Sequence, residues 1–437
     1  MANHNSISER AIKAAQSSMR ADLEVYFEAL DNLYDPTENP LGTFPLNMAE
    51  NVLGWHLLKD KIQTIQETVK IPDWASKYGN TLGVDTFRET VAQFLSEFHI
   101  GCPVSKDHLA FSSGLTSAID LTAFLLADHG DTAIFPAPAY PVYKNDIGAI
   151  PGIKRFDLHT HHAIDELKDG IPLTIKHLDE TLHTLTEAGE VFKILVLTSP
   201  DNPTGTVYSH KQLQEITAWC IDHKIHLIVN EIYGLSLIDT THPAIAGDYK
   251  NPELFSSFGK IMAKRQSPYL HLWYSFSKDF GISGFRVGMV HSHNETFLKA
   301  YANTNLTHSV SNHTQWLLQC LLEDRNFIGN YITHYQKELT DCYVMVVASL
   351  KKLQIPYVPS RGSLFVWIDL SAWLAENTDE GQKTLWMDIY QSTGVLLTPG
   401  EGFGHLQKGH FRLVISSHTK AALQVAIQRL EDYLQQN

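Results

Sequence analysis

Cysteine is scarce in this chain: four thiols, Cys102, Cys220, Cys320 and Cys342, in 437 residues. None stands in a C-x-x-C pair and their spacing matches no zinc pattern, so a disulfide framework and a cysteine metal centre are excluded. Buried free thiols in a reducing compartment are the reading that remains. Positive charge is also short. Lys and Arg number 34 against 48 Asp and Glu, and the formal net charge of -14 argues against nucleic acid as the main partner. No apolar run approaches the ~20 residues of a membrane span. Met1 to Arg20 is polar and charged, with no apolar core of a signal peptide. Internal repeats and long low-complexity tracts are missing, which excludes a solenoid. These absences predict a soluble, cytoplasmic protein with neither membrane nor nucleic-acid partner.

What is present is an ordinary globular composition: 43% hydrophobic, 10% aromatic and 19% charged residues, enough for two or three domains. Residues 6–33 read as a helix followed by a Pro- and Asn-containing turn. Helical patterns recur at 87–98, 116–127 and 210–223, and short apolar strands at 132–135, 193–198, 225–232 and 271–275. Such alternation predicts an α/β fold: a mostly parallel sheet of the seven-stranded type covered by helices on both faces. The C-terminal part changes character, with a long helix over 327–353, strands at 363–370 and 410–417, and a final helix at 421–434. We expect an N-terminal segment (1–50) packing with a small α+β domain (326–437), and a large domain (51–325) between them. Ligands of such sheets bind beyond the carboxyl ends of the strands. Most polar clusters of this chain fall there.

The most informative run is Tyr274-Ser275-Phe276-Ser277-Lys278-Asp279-Phe280-Gly281-Ile282-Ser283-Gly284-Phe285-Arg286-Val287-Gly288. Lysine amines form Schiff bases with aldehydes. The planar fork of Arg286, with nearby serine hydroxyls, suits a phosphate. A lysine for an aldehyde and an arginine with a serine for a phosphate are what pyridoxal phosphate needs. Ser112-Ser113-Gly114-Leu115-Thr116-Ser117 precedes an apolar helix whose first N–H groups favour an anion, although Ser and Thr there also suit N-caps. Tyr140, in a Pro-rich turn after a strand, can stack on a flat ring or pack locally. Asn202, in Ser199-Pro200-Asp201-Asn202-Pro203-Thr204-Gly205, and Tyr233, after the next strand, can both reach a phenolic oxygen. Strand alternation places Asn230 and Ile232 on one face and Glu231 on the other. Arg412 suits a two-pronged clamp on an α-carboxylate. His159, His161 and His162 read as a solvated loop, and no metal is assigned.

Together these motifs resemble the class I/II aminotransferases of the fold type I pyridoxal-phosphate enzymes, most closely the 1-aminocyclopropane-1-carboxylate synthase-like group. The resemblance spans roughly residues 47–417. It rests on S-x-S-K-D-x-G-x-x-G-F-R-V-G, S-P-D-N-P-T-G-T and N-E-I-Y-G, with N-M-A-E-N and Y-G-N-T-L-G (78–83) beside them. It implies that Lys278 bonds the cofactor aldehyde and shuttles the proton, and that Tyr140 stacks on the ring. Ser275, Arg286 and the amides of Leu115 and Thr116 would hold the phosphate. Asn202 and Tyr233 would bond the phenolic oxygen, and Arg412 the substrate carboxylate. It further implies a homodimer with shared active sites, Tyr78 reaching the neighbouring subunit's phosphate. Glu50 matches a residue that such synthases use near a sulfonium substrate; Asn47 with Glu50 three residues later also has capping-box spacing.

One departure matters. The family places Asp where this chain has Asn230, and that carboxylate keeps the pyridine nitrogen protonated so that the ring accepts electrons from Cα. Neutral Asn230 fits natural chemistry that needs less delocalisation, slow transamination, or a substitution introduced to trap a complex. The leading expectation is an aminotransferase of amino-acid metabolism or biosynthesis, working between an α-amino acid and a 2-oxo acid. The alternative is a lyase expelling a γ-leaving group, for example from S-adenosylmethionine. A weakly active cofactor-binding regulator is disfavoured, because some forty residues before the core are too few for a DNA-binding domain.

Overall fold

The computed structural model describes residues 6–16, 22–249 and 253–436. These form twelve strands. β1 (Phe44–Pro45) is short and N-terminal. Seven strands make one sheet: β2 (Leu109–Ser113), β3 (Thr132–Ala137), β4 (Lys154–His159), β5 (Phe192–Thr198), β6 (His226–Asn230), β7 (Leu270–Ser275) and β8 (Val287–Ser292). Their order is β2-β8-β7-β6-β5-β3-β4, and β8 alone runs against its neighbours. β9 (Phe365–Asp369), β11 (Thr398–Pro399) and β12 (His410–Val414) form a small antiparallel sheet in the order β11-β12-β9. β10 (Val395–Leu396) pairs in parallel with β1, which ties the N-terminal segment to the C-terminal part.

The central strands are apolar along nearly their whole length because helices cover both faces. β6 and β7 are buried at every position, so no polar alternation is needed. A single contiguous core runs from Ala29 to Leu434. The helix Arg325–Lys352 spans the junction between the two sheets' layers: Tyr331 donates to Asp279 O at 3.0 Å, and the Tyr335 hydroxyl lies 2.7 Å from Ser236 Oγ.

Several expected elements differ in detail. The helix read over residues 6–33 is described as Glu9–Gln16 and Asp22–Leu30, and residues 17–21 lie outside the described residues. The strand read over 225–232 ends at Asn230, where the chain turns into the site. Strands β2, β4 and β8 had no strong apolar run to announce them; pairing with neighbours across the sheet makes them strands. The histidine stretch is solvated at His159 and His162 but not at His161. His159 ends β4, and His161 is buried with neither ring nitrogen hydrogen-bonded, its imidazole pushed down to about 4 by burial. Among the described residues no helix is long and apolar enough to cross a membrane.

Candidate active site

The carboxyl ends of β3, β5, β6 and β7 open on one cavity of about 430 Å³. Lys278, Arg286, Arg412, Asn202, Asn230, Tyr233, Tyr140, Leu115, Thr116 and Glu50 all line it. Ten residues expected from scattered motifs therefore meet at one place. Lys278 sits on a one-turn helix, Phe276–Asp279, that starts where β7 stops, with Ser275 as its N-cap. Lys278 Nζ donates to Ala49 O at 2.6 Å, and Asn51 Nδ2 donates to Lys278 O at 2.8 Å. The N-terminal segment thus crosses directly over the lysine. Gly281, at φ +62°, permits that approach, since a Cβ there would lie 2.2 Å from Asn51 O. Behind the lysine, the Asp279 carboxylate accepts from Ser236 Oγ (2.6 Å) and Leu235 N (3.0 Å), and burial pushes it up to about 6.

An anion-binding corner lies beside Lys278. The helix Leu115–Leu126 begins after Gly114, and no side chain caps it. The Ser and Thr residues here are therefore not N-caps. Ser117 Oγ donates to Ser113 O, and Ser113 Oγ to Ser309 O. The uncapped amides of Leu115 and Thr116, at the positive end of a twelve-residue helix, are left to an anion. Gly114 (φ +85°) lets the guanidinium of Arg286 pass: a Cβ there would sit 2.0 Å from Arg286 Nη2. Gly288, opposite Ser112 in the sheet, is equally constrained, since a Cβ would meet Leu115 N at 2.5 Å. The structure places Ser275 one layer deeper than expected. Its hydroxyl donates to Val287 O (2.8 Å) and accepts from Ser277 N (3.1 Å), whereas Ser277 lines the cavity.

Tyr140, Ile232, Val142 and Ile119 contribute apolar surface to the cavity lining. Asn202 Oδ1 accepts from Arg412 Nη1 at 2.9 Å, which fixes its amide and makes the Nδ2 end its donor. Tyr233 is buried, and desolvation first of all drives its hydroxyl far up, so it stays a protonated donor. Asn230 is buried at the end of β6. Ile232 N donates to its Oδ1 (3.1 Å) and its Nδ2 donates to Tyr143 Oη (2.8 Å), which in turn lies 3.0 Å from Thr198 Oγ1. The backbone N–H can only donate, so it settles the amide's orientation. Burial pushes the Tyr143 hydroxyl up to about 12, and the whole network is neutral. Glu231 offers no substitute carboxylate. It lies on the opposite face, accepting from Ser257 Oγ (2.6 Å) and Phe258 N (2.5 Å), with His99 Nε2 at 2.9 Å.

Arg412, on β12, is 2% exposed, with its guanidinium over the rings of Phe365 (4.5 Å) and Phe403 (5.1 Å). Nη1 donates to Asn202 and Nη2 to Asn47 O (2.5 Å), so its fork is held in one orientation. Asn47 and Glu50 do not form a capping box, because the nearest helix begins at Trp55. Asn47 instead donates to Asp22 Oδ2 at 2.7 Å, and the Glu50 carboxylate accepts from Ser283 Oγ at 2.6 Å on the cavity wall. Tyr78 is fully exposed and lines a separate surface hollow with Asn80 and Asn312. Sequence reasoning missed Tyr143, Thr198 and Ser283, and it gave no place at the site to the N-terminal helical segment, whose Leu23 and Phe27, one turn apart on Asp22–Leu30, also line the cavity. The i, i+4 apolar pair was the only signal for the last.

The residues present fit pyridoxal phosphate. A glycine-lined anion corner, a lysine, a hydroxyl and an amide donor, and an aromatic wall converge on one cavity. Comparison with known proteins agrees. The family model of aminotransferase class I and II matches residues 45–430. The chain is 27% identical to 1-aminocyclopropane-1-carboxylate synthase 7 of Arabidopsis thaliana, over 92% of this chain and 90% of that protein. It is 29% identical to a 1-aminocyclopropane-1-carboxylate synthase of Glycine max, over 93% and 83%. Among solved structures, aspartate aminotransferase from Thermus thermophilus with maleate superposes with a TM-score of 0.77 at 20% identity, covering 98% of this chain and 99% of the other. An archaeal alanine:glyoxylate aminotransferase gives 0.78 at 17%, covering 99% and 98%. The chain belongs to the aminotransferase class I and II family and is an enzyme of the fold type I class that uses pyridoxal phosphate.

Proposed function

We propose that this enzyme is an aminotransferase acting on an α-amino acid. The observation that carries the reading is the meeting of Lys278 and Arg412 in one cavity: an amine that moves a proton, and a fixed guanidinium that receives a carboxylate. Bound pyridoxal phosphate supplies an aldehyde for the substrate amino group and a ring that draws electrons from Cα. Arg412, held between Phe365 and Phe403, orients the substrate by its carboxylate. Lys278 Nζ takes the Cα proton and delivers it on the cofactor side, leaving its bond to Ala49 O to do so. Tyr233 and Asn202 would hold the cofactor by donating hydrogen bonds to its phenolic oxygen. Leu23 and Phe27 add apolar side chains to the cavity lining. The reading includes a homodimer in which the exposed Tyr78 completes the site of a second copy.

One observation favours a second reading, loss of a γ-leaving group. Glu50 lies on the wall with its carboxylate set by Ser283, a negative group suited to a sulfonium. Visible spectra recorded while amino acids and S-adenosylmethionine are added separate the two. Conversion of the cofactor to its amine form with release of a 2-oxo acid is expected. Product released from S-adenosylmethionine alone, with the cofactor unconverted, would replace the first reading by the second.

A further inference from the structure

A second chemically distinctive site lies at the opposite end of β8. That strand runs against the rest, so Gly288 borders the cofactor cavity while His291 and the following His293 lie three to five residues away, roughly 10–17 Å along the strand. His291 and His293 share a face by strand alternation. His108, just before β2, joins them because β2 pairs with β8 at Leu109–His291. Ring nitrogens of the three all lie within 4.8 Å of one another. The rings of His108 and His293 meet edge to face at 4.4 Å, and His291 and His293 at 5.1 Å.

This arrangement is costly without a ligand. His291 is 3% exposed, and neither of its ring nitrogens has a hydrogen-bond partner; His293 Nδ1 is likewise buried and unbonded. Burial holds His291 and His293 well below the usual imidazole range, so these are neutral rings with lone pairs to offer. The nearest negative groups acting on His108 are Asp107 and Glu295. A cavity of about 320 Å³, walled by Val104, Ser105 and Gln266, opens beside the three rings.

We propose that His108, His291 and His293 bind one divalent transition-metal ion of the zinc class, with water from the adjoining cavity in the fourth position. Three imidazoles without a thiolate or carboxylate suit zinc, nickel or copper rather than magnesium or calcium. Nitrogens bound at about 2.0–2.1 Å to a tetrahedral ion stand roughly 3.3 Å apart. Closing from 4.8 Å therefore needs only small ring movements, and His108 and His293 are half-buried with room for them. The ion would join the edge strand β2 to β8, its sole partner in the sheet.

The test uses tag-free, chelator-treated enzyme with its cofactor bound. Titration calorimetry with Zn²⁺ is expected to show one equivalent bound, and added Co²⁺ to give a low-coordinate visible band. Both should be lost in His108→Gln and in His293→Gln, with the cofactor bands unchanged. Zinc should raise the unfolding midpoint of the wild type and not of the double variant. X-ray absorption on the wild type, which does not depend on any variant folding, should count three imidazoles at about 2.0–2.1 Å. The proposal is overturned if the wild type takes up no more ion than the double variant, or if fewer than three imidazoles surround the zinc.

Discussion

Replacing Asn230 by Asp tests the account of the site most directly. The exchange is isosteric: an oxygen takes the place of the Nδ2 now 2.8 Å from Tyr143 Oη, while Ile232 N keeps its acceptor. Tyr143 would donate where it now accepts, and its bond with Thr198 would reverse, which two hydroxyls allow by rotation. The gain is a charged partner for the cofactor's ring nitrogen. A hydrogen bond to a charged group contributes ~1.5–3 kcal/mol, against ~1 kcal/mol for a neutral pair. The difference of ~0.5–2 kcal/mol corresponds to about 2- to 30-fold in the rate of Cα–H cleavage. Burial will raise the new carboxyl, as it raises the equally buried Asp201 to about 7, so the gain should be larger at pH 8 than at pH 6. Exchange of the substrate α-hydrogen in D₂O, followed by NMR, and the stopped-flow half-reaction both read this rate. Asn230→Ala, which loses both bonds, should be slower than the enzyme with Asn230. Equal or slower exchange in Asn230→Asp at pH 8, with full cofactor occupancy, would refute the reasoning.

Two further outcomes follow from the same geometry. Gly114→Ala places a methyl 2.0 Å from Arg286 Nη2 at a φ of +85°, so the guanidinium must leave the anion corner. Losing a charge-assisted bond of ~1.5–3 kcal/mol should weaken cofactor binding about 10- to 150-fold, measured by titrating apoenzyme with pyridoxal phosphate; unchanged affinity would count against the assigned phosphate site. Stability should vary with pH in a set direction. Burial holds His161, His226, His293 and His418 at about 4 and His291 and His405 at about 3. Between about pH 4 and 6.5 the unfolded chain therefore binds more protons at these six, and stability rises with pH. Asp146 and Asp201, raised to about 7, and Asp279, raised to about 6, act oppositely, because there the native state binds more protons. At about pH 6.5 the six histidines are still half protonated in the unfolded chain and outweigh the three aspartates, and the two contributions come into balance between about pH 7 and 8. Denaturant midpoints of the metal-free protein should rise from pH 4 to about pH 7 and then level off; a steady fall from pH 4 upward would contradict this balance.

Much of this protein is legible before folding. The lysine run, the N-P-T-G turn and the N-E-I-Y strand end carry their chemistry in local order, because each is a strand followed at once by its functional side chain. Period-two alternation sufficed to separate Asn230 from Glu231, since a strand has only two faces. The helix over 116–127 and the long helix over 327–353 came from apolar periodicity within a residue or two of their described bounds.

What local order cannot carry is proximity across the chain. Tyr143 lies 87 residues from Asn230 and is its partner only because the turn after β3 folds over the end of β6. Ser275 and Ser277 are equivalent in sequence pattern, yet packing against Val287 turns the first inward and leaves the second on the cavity. The capping-box spacing of Asn47 and Glu50 was real but no helix starts there, and a contact with Ser283 decided what Glu50 does. The three histidines at the far end of β8 make the same point: 183 residues separate His108 from His291, and only antiparallel pairing of β2 with β8 brings them within ligand distance. Residue types and their local spacing determined the chemistry available to this chain. The sheet's order and register decided which of those groups share a site, because contact between distant segments depends on how strands pair and layers pack.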